Sequence, residues 1–449
     1  MFLDENYLLE NEPAKKLYTQ IARLPILDPH NHVDVRAIAG DRPFADLWEL
    51  LGATDHYVWE VMRKRGIPEE LITGKAAPAD KFSALARIFP ELAGNPVYEW
   101  IHLDLRFLGI SDLLNADNAA RIWRDGSRLL QQKTPLELLR ASNVEVMCST
   151  DDPADTLEFH EAVNHRAGWT LVRPTWRPDK AMKLHSPGWR AYLEQLAARF
   201  GRPIGSLRQL LDALKLSHDY FAARGCRASD HGLEVMAGAQ CDWRIAERAF
   251  AKAETATPEE AAHFAGVLLM AFGEWNVAAD WVTQLHLGPV RDVRAGLFER
   301  LGPDAGGDIS SLHQDQLPGL LAFLNRYDDR LKVVLYCLDP MQQPTLAAVS
   351  RAFGGKVRLG AAWWLNDTPI GMKRQLEYIG SVDLLMNFGG MVSDSRKISS
   401  YQSRFEMFRR VLSSQIGALI QHGQIPEKVG SALAGKMAYE EVKVFWKLG

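Results

Sequence analysis

Short apolar runs alternate with longer segments of mixed polarity along this 449-residue chain. In the longer segments apolar residues recur at helical spacing, which predicts helices over 11–23, 207–224, 259–275, 317–325 and 405–423. The short runs predict strands over 24–27, 144–150, 170–174, 225–230, 281–286, 332–338, 357–364 and 383–391. Eight strands that alternate with helices favour a closed parallel barrel over an open sheet.

One long interval interrupts this alternation. Residues 33–143 contain helical segments broken at glycines and prolines, and they follow the first strand directly. Such an excursion is too long for a structureless loop inside a compact domain. We therefore predict an α/β fold, a distorted (β/α)8 TIM-like barrel, in which 1–449 is a single domain and 33–143 is a helical cap inserted between strands 1 and 2.

Composition narrows the class of protein. The hydrophobic fraction of 47% and charged fraction of 24% are ordinary for a globular enzyme. A net charge of -4 offers no basic field for nucleic acid or an anionic membrane, so neither is expected as a partner. The chain lacks a long apolar run, an apolar leader and C-x-x-C cysteine spacing, which predicts a cytoplasmic protein in a reducing compartment. The sequence does not determine whether the chain forms a homo-oligomer.

The first strand-like run closes on Asp28-Pro29-His30-Asn31-His32. Side chains alternate faces in an extended strand, so His30 and His32 lie on one side and can bind one metal ion. The alternative is two polar residues at a strand end. Position favours the metal hypothesis, because functional side chains of parallel barrels collect at the carboxyl ends of the strands.

Other predicted strands end in groups that suit the same rim. These groups include Arg173, Arg177, Ser229-Asp230-His231, His286, Trp363-Trp364, Asn366-Asp367, Asp394 and Arg396. Each has a structural alternative: Asp394 is equally well placed to cap a helix, and Tyr57 is equally well a core residue of the cap. Trp363 and Trp364 alternate faces in an extended strand, so we expect at most one of them to line a pocket.

The layout of His30 and His32 on strand 1, His286 on strand 5 and Asp394 on strand 8 resembles the ligand set of the amidohydrolase superfamily. Members with two metals usually add a lysine on strand 4 and a histidine on strand 6, and this chain has neither there. The resemblance implies one divalent metal held by His30, His32 and Asp394, with His286 as a further ligand or a substrate contact. Mixed nitrogen and oxygen ligands suit zinc, and manganese and iron also fit.

A set of motifs then resembles the uronate isomerase family from about Leu3 to the C-terminus. The motifs, in family order, are Asp55-His56-Tyr57, Cys148-Ser149-Thr150-Asp151-Asp152-Pro153, Thr175-Trp176-Arg177-Pro178-Asp179-Lys180, Gly225-Cys226-Arg227-Ala228-Ser229-Asp230-His231, Trp363-Trp364 and Asp394-Ser395-Arg396. The resemblance implies interconversion of D-glucuronate with D-fructuronate and of D-galacturonate with D-tagaturonate. Arg291-Asp292-Val293-Arg294 departs from a family Arg followed by an Asn run, so the preferred hexuronate is less well determined than the reaction.

The reaction moves a proton between adjacent carbons through an enediolate, whose negative charge requires a nearby cation such as a Lewis-acidic metal. Asp394 is the carboxylate best placed to move a hydroxyl proton. The resemblance points to Tyr57 with His56 for the carbon proton, and the choice between them is open. A tyrosine needs a cation, for which Arg396 is the candidate, to lower its pKa, whereas His56 is the simpler base near neutrality.

Substrate binding requires a partner for the sugar carboxylate. A guanidinium matches a carboxylate in two parallel hydrogen bonds, and Arg177 is the first choice, followed by Arg396 and Arg173. Trp364 is expected to form an apolar wall for the sugar. Two other functions compete with isomerisation: a metal-dependent hydrolase such as a sugar-acid lactonase with Asp394 as base, and a non-catalytic sugar-acid-binding protein.

Overall fold

A computed structural model describes residues 2–311 and 314–449. The strands are β1 (Ile26–Asp28), β2 (Val144–Cys148), β3 (Leu171–Arg173), β4 (Ala228–Leu233), β5 (Val282–Leu287), β6 (Pro289–Val290), β7 (Ile309–Ser310), β8 (Lys332–Cys337) and β9 (Val357–Leu359). The α-helices up to β4 are α1 (Glu12–Ile21), α2 (Val35–Gly40), α3 (Leu47–Leu51), α4 (His56–Lys64), α5 (Pro78–Ile88), α6 (Pro96–Phe107), α7 (Ala119–Leu130), α8 (Pro135–Ala141), α9 (Glu158–Ala167), α10 (Asp179–Met182), α11 (Trp189–Phe200) and α12 (Leu207–Ala223). After β4 they are α13 (Trp243–Lys252), α14 (Pro258–Ala279), α15 (Ala295–Leu301), α16 (Leu317–Arg326), α17 (Gln343–Ala352), α18 (Pro369–Val382), α19 (Ser400–Gln421), α20 (Glu427–Gly435) and α21 (Glu441–Trp446).

The strands form two parallel sheets and one hairpin. The first sheet has the order β1-β2-β3, the second has the order β4-β5-β8-β9, and β6 pairs antiparallel with β7. The central strands β5 and β8 are buried along almost their whole length, as expected for parallel strands covered by helices. The prediction of an α/β protein with parallel strands is confirmed.

Backbone hydrogen bonds outside the named strands link the edges of the two sheets. Between β3 and β4, the Trp176 N–H donates to the Ala228 carbonyl at 3.2 Å, and the Asp230 N–H donates to the Trp176 carbonyl at 3.0 Å. Beyond β9, the Gly389 N–H donates to the Leu359 carbonyl at 2.8 Å. The carboxyl ends of the two sheets therefore lie beside each other.

The segment between β1 and β2 is helical. Its described residues contain α2 to α8 and two short 3-10 turns, and they contain no strand. Within it α3, α5 and α7 pack against one another, and α6 packs against α19 from the far end of the chain. Helix α4 begins at His56, with Asp55 as its N-cap accepting from the Tyr57 N–H, so the two side chains predicted as bases lie at a helix start.

The predicted helices are confirmed as α1, α12, α14, α16 and α19, with small differences at their ends. The long helix α19 buries Phe405, Phe408, Leu412 and Ile416 against its neighbours α1, α6 and α18. None of the helices in the described part of the chain has the length and apolar character of a membrane span.

Two predicted strands are wrong in part. The run 357–364 is a strand only to Leu359, because Gly360 packs directly against the Tyr336 ring and the backbone then turns. The run 383–391 contains a 3-10 turn, Leu385–Asn387, and only an isolated bridge at Phe388. Its Asn387 amide donates to the Asp383 carboxylate at 2.9 Å, a local bond that competes with strand pairing.

Candidate active site

The carboxyl ends of the parallel strands open into a cavity of about 870 Å³. Helix α4 and the segment that follows β6 form its outer walls. Except for Arg173, the side chains singled out in the sequence as catalytic, substrate-binding or metal-ligating all line the cavity: His30, His32, His56, Tyr57, Arg177, His286, Trp364, Asp394 and Arg396. Residues up to 366 positions apart in the chain therefore line the same cavity.

His30 and His32 converge on a single oxygen of Asp394. The Nε2 atoms of the two imidazoles lie 3.1 Å and 3.3 Å from Asp394 Oδ1. Backbone pairing fixes this approach, because the Asp394 N–H donates to the His30 carbonyl and the His32 N–H donates to the Ser395 carbonyl. Asp394 has a left-handed φ of 46°, and helix α19 begins only at Ser400, so Asp394 is not the helix cap that the sequence also allowed.

A second cluster joins the first through His30. Asp230 Oδ1 lies 2.7 Å from His286 Nδ1, and Asp230 Oδ2 lies 3.6 Å from His30 Nδ1. The sequence analysis noted Asp230 but gave it no role. Strand β4 runs on to Leu233, so Asp230 lies inside the strand rather than at its end, with a fully buried side chain. A carboxylate in an otherwise buried strand was the available signal, because such a charge requires a partner.

These donors fit a metal ion. The histidine and carboxylate atoms of each cluster lie within 4.8 Å of one another, close to the spacing of atoms that share one ion at bonds of about 2.0–2.2 Å. His286 Nε2 and His30 Nδ1 are buried and lack a hydrogen-bond partner. Buried polar atoms rarely stay unpaired, so these nitrogens are suited to bind a metal ion or a substrate oxygen.

The protonation states of His286, Asp394 and Asp230 suit metal ligands. Burial lowers the pKa of His286 to about 4, only partly opposed by Asp230, so the imidazole is neutral near pH 7. Burial alone would raise the pKa of Asp394, but His30 and His32 hold it well below its ordinary value. The pKa of Asp230 is likewise held low against burial, first by Arg177. The neutral His286 and the ionised carboxylates of Asp394 and Asp230 are therefore in the protonation states that bind metals.

His56 lies across the cavity and accepts a hydrogen bond from Arg396. Arg396 Nη1 lies 2.7 Å from His56 Nε2, and a guanidinium can only donate, so this ring nitrogen carries no proton. Burial and then the positive charge of Arg396 lower the pKa of His56 to about 4. His56 is therefore neutral near pH 7.

Tyr57 retains its proton. Its hydroxyl donates to Asp367 Oδ1 at 2.6 Å and accepts from the Leu365 N–H at 2.8 Å. Burial, and then the charge of Asp367, raises the Tyr57 pKa well above its ordinary value. Arg396, the cation considered for lowering this pKa, is bonded to His56 instead. Sequence reasoning noted Asp367 at the end of a predicted strand without assigning it a role, and it missed Arg404, which donates to Asp367 from α19 and is only 2% exposed.

The three predicted arginines differ in their partners. Arg177 lies 3.0 Å from Asp230 Oδ2 and 3.1 Å from Asp179 Oδ2, so its charge is already matched by two carboxylates. Arg396 contacts His56 and Asp304. Arg173 instead donates to the Gly225 carbonyl and is not a cavity residue.

Both tryptophans of the Trp363-Trp364 pair line the cavity, so the expectation of at most one is wrong. The backbone there is not extended, because β9 ends at Leu359 and Trp363 has a φ of 63°. Side-chain alternation therefore does not apply. The Arg291 guanidinium lies 4.5 Å from the centre of the Trp364 ring, which places the unusual 291–294 sequence at the cavity.

Comparisons with known proteins agree with this geometry. The glucuronate isomerase family model matches residues 1–446. The uronate isomerase of Thermotoga petrophila is 46% identical over 451 residues, covering 99% of this chain and all of the relative. The crystal structure of uronate isomerase from Thermotoga maritima superposes with a TM-score of 0.97 at 45% identity, covering 99% of this chain and 100% of that one. The crystal structure of glucuronate isomerase from Caulobacter crescentus superposes with a TM-score of 0.94 at 26% identity, covering 99% of this chain and 97% of that one.

Proposed function

Because this chain belongs to the glucuronate isomerase family, we propose that the side chains around the cavity carry out the isomerisation of hexuronates. The chain is an aldose–ketose isomerase, since uronate isomerases match it over 99% of its length. This family membership decides against the lactonase and the non-catalytic binder considered from the sequence. The pairs D-glucuronate with D-fructuronate and D-galacturonate with D-tagaturonate are the proposed substrates and products.

The proposed scaffold is a closed, distorted (β/α)8 barrel. The backbone bonds from Trp176 to β4, from Leu359 to Gly389 and from His30 to Asp394 support it, because they continue the sheets around the gaps between named strands. Residues 1–449 would then be one domain, with 33–143 as a helical cap that supplies His56 and Tyr57.

The proposed cofactor is one divalent metal ion, zinc by its mixed donor set, held by His30, His32 and Asp394. The observation that carries this proposal is the approach of both imidazoles to Asp394 within 3.3 Å. When bound, the ion supplies Lewis-acid charge against the negative charge that develops on the sugar oxygens. His286 lies beside the site with an unpaired nitrogen for a further bond to metal or sugar.

The proton transfers are assigned to residues on opposite walls. Asp394 is ionised and lies with His30, Asp230 and His286 on the inner wall of the cavity, where it would move the hydroxyl proton. His56 is favoured over Tyr57 for the carbon proton, since His56 is neutral near pH 7 and Tyr57 is a protonated donor bonded to Asp367. The Nε2 lone pair of His56 becomes available once Arg396 turns from it to the substrate.

The sugar carboxylate is assigned to Arg396. Arg177 was the first choice from the sequence, but two carboxylates already hold it. Arg177 would instead act at the inner wall, where it keeps Asp230 ionised beside His30. Trp364 is the proposed wall for the sugar, extended by Arg291 over its ring.

The test uses D-glucuronate in heavy water with the purified, zinc-loaded chain. NMR should show the 2-ketose and deuterium at the carbons that exchange the proton, and His30→Ala should show neither. Isomerisation that gives no deuterium even after many forward and reverse turnovers would contradict proton transfer through an exchangeable base. Hydrolysis of a uronolactone without ketose formation would contradict the isomerase assignment.

A further inference from the structure

The segment between β6 and β7, residues 291–308, carries an exposed carboxylate into the cavity mouth. Asp304 lines the cavity, and its side chain is 65% exposed. Helix α4 holds this segment in place: the Gly307 N–H donates to Glu60 Oε1 at 3.0 Å, and Arg63 donates to the Ala305 carbonyl. Asp304 is thereby fixed near the helix start that carries His56.

Asp304 occupies the side of Arg396 that His56 leaves free. Arg396 Nη2 lies 3.3 Å from Asp304 Oδ1, while Nη1 donates to His56. The Arg396 side chain is 34% exposed. A single-contact ion pair between exposed groups contributes little free energy and exchanges readily with a competing anion.

The other arginines in the described lining of the cavity pair with buried carboxylates. Each of these carboxylate side chains is 6% exposed or less, in the pairs Arg177 with Asp230, Arg404 with Asp367 and Arg291 with Asp308. Removing the arginine from such a pair would leave a buried charge without a partner, which is unfavourable. Arg396 is therefore the cavity arginine whose carboxylate partner an incoming sugar acid can replace.

We propose that Asp304 sets the affinity for the substrate by acting as an intramolecular competitor of its carboxylate. In the absence of sugar Asp304 neutralises Arg396, and the hexuronate carboxylate takes its place with two hydrogen bonds to the guanidinium. This inference rests on the proposed function and deepens it. It assigns to the β6–β7 segment a role in sugar-acid binding separate from the proton transfers.

The test replaces Asp304 in the full chain by residues that keep the local backbone. Asp304 has a φ of 60°, a conformation that asparagine and glycine accept, so Asp304→Asn and Asp304→Gly remove the charge without strain. Asp152→Asn is the matched control. Asp152 lines the same cavity, but its carboxylate pairs with Lys180 at 3.1 Å and not with Arg396.

The probe is L-gulonate, the sugar acid made by reducing the aldehyde of D-glucuronate, which cannot be isomerised. Titration calorimetry should give a Kd about two- to fivefold lower for both Asp304 variants, the factor for one exposed ion pair. KM for D-glucuronate should fall by a similar factor. Inhibition by D-glucitol, the same carbon chain without a carboxylate, should be unchanged.

The expected pattern is tighter L-gulonate binding in both Asp304 variants and no change in Asp152→Asn. Unchanged or weaker binding in the Asp304 variants overturns the inference, since a residue that merely positions Arg396 would give that result. Equal tightening in Asp152→Asn also overturns it, because a general effect of cavity charge would then suffice. Failure of the proposed function is distinguishable, since it would appear as an unaltered chain that forms no ketose.

Discussion

The inner and outer walls of the cavity differ in how firmly they hold their charges. The inner wall of His30, Asp230, His286 and Asp394 is built on parallel strands and the segment paired with them; the first three side chains are buried, and that of Asp394 is 13% exposed. The outer wall of His56, Arg396 and Asp304 lies on a helix start and on loops, and it is partly exposed. Fixed, desolvated charges stabilise a reacting centre, whereas exposed pairs can exchange partners. The comparison favours the inner wall for the proposed metal ion and the outer wall for the proposed exchange of carboxylates at Arg396, beside the proposed base His56.

The sharpest way to break this comparison is to remove the charge of Asp394. Asp394→Asn keeps the shape of the side chain but weakens a metal ligand and removes the proposed hydroxyl base. We expect kcat for D-glucuronate to fall by about 10²–10⁴-fold, the usual contribution of a positioned acid or base. Bound zinc, measured by atomic absorption, should fall too. A variant with full zinc content and full activity would contradict the assignment.

Substitution of His56 tests the base on the outer wall. His56→Gln keeps an acceptor for Arg396 and cannot take up a proton, so we expect kcat to fall by about 10²-fold. In the unaltered chain the protonated imidazole is inactive, so kcat/KM should decline as the pH falls through about 4. In Arg396→Gln the loss of the neighbouring positive charge should move this decline to higher pH. An unchanged midpoint would exclude His56 as the titrating group.

Substitutions of Asp230 and Asp179 distinguish two roles of a buried carboxylate: pairing with Arg177 and orienting the histidines. Both contact Arg177, but only Asp230 also contacts His286 and His30. Asp230→Asn should weaken zinc affinity by about 10–100-fold, the usual effect of removing a group that orients a metal-binding histidine. Asp179→Asn should change zinc affinity far less. Competition with a chelator measures both, and equal effects would show that Arg177 alone mediates the influence of Asp230.

The smallest effect is expected from substitution of Tyr57, which should change mainly the stability of the fold. Tyr57→Phe removes the hydroxyl that bonds Asp367 Oδ1 and the Leu365 N–H, although Asp367 keeps its ion pair with Arg404, and the loss should lower the free energy of unfolding by about 1–3 kcal/mol. Tyr220→Phe is the control, because its hydroxyl bonds the Thr156 carbonyl at an exposed site and should change stability by about 0.5 kcal/mol. Urea unfolding monitored by circular dichroism measures both. A folded Tyr57→Phe chain without activity would place Tyr57 in the chemistry.

The parts of the fold that follow regular patterns were predictable. Helical spacing identified α12 and α14, and buried apolar runs identified β5 and β8, because in each case burial of the side chains and local backbone preference agree. The run 383–391 has the same apolar composition as a strand. There a local bond from Asn387 to Asp383 determines the backbone, which apolar patterning does not report.

The candidate site divides in the same way. Alternation along a strand placed His30 and His32 together from the residues alone, whereas Asp394 was noted at a predicted strand end and received its role as a ligand only through the family resemblance. Its backbone has a left-handed φ, so no regular pattern marks it. Asp304 was missed because its importance depends on a contact across 92 residues, and a lone aspartate in a glycine-rich turn has no distinguishing signal.

The pairing of His30 with Asp394 joins residues 364 positions apart. A ribosome therefore has to release most of the polypeptide before the proposed metal site can assemble, because a nascent chain that ends before Asp394 lacks one of the proposed ligands. Contacts between residues so far apart in the chain also slow folding, because the entropy of closing a large loop is lost before the contact contributes any free energy. The proposed metal ion could therefore bind only late in folding, so it would stabilise the finished enzyme rather than guide the first steps of folding.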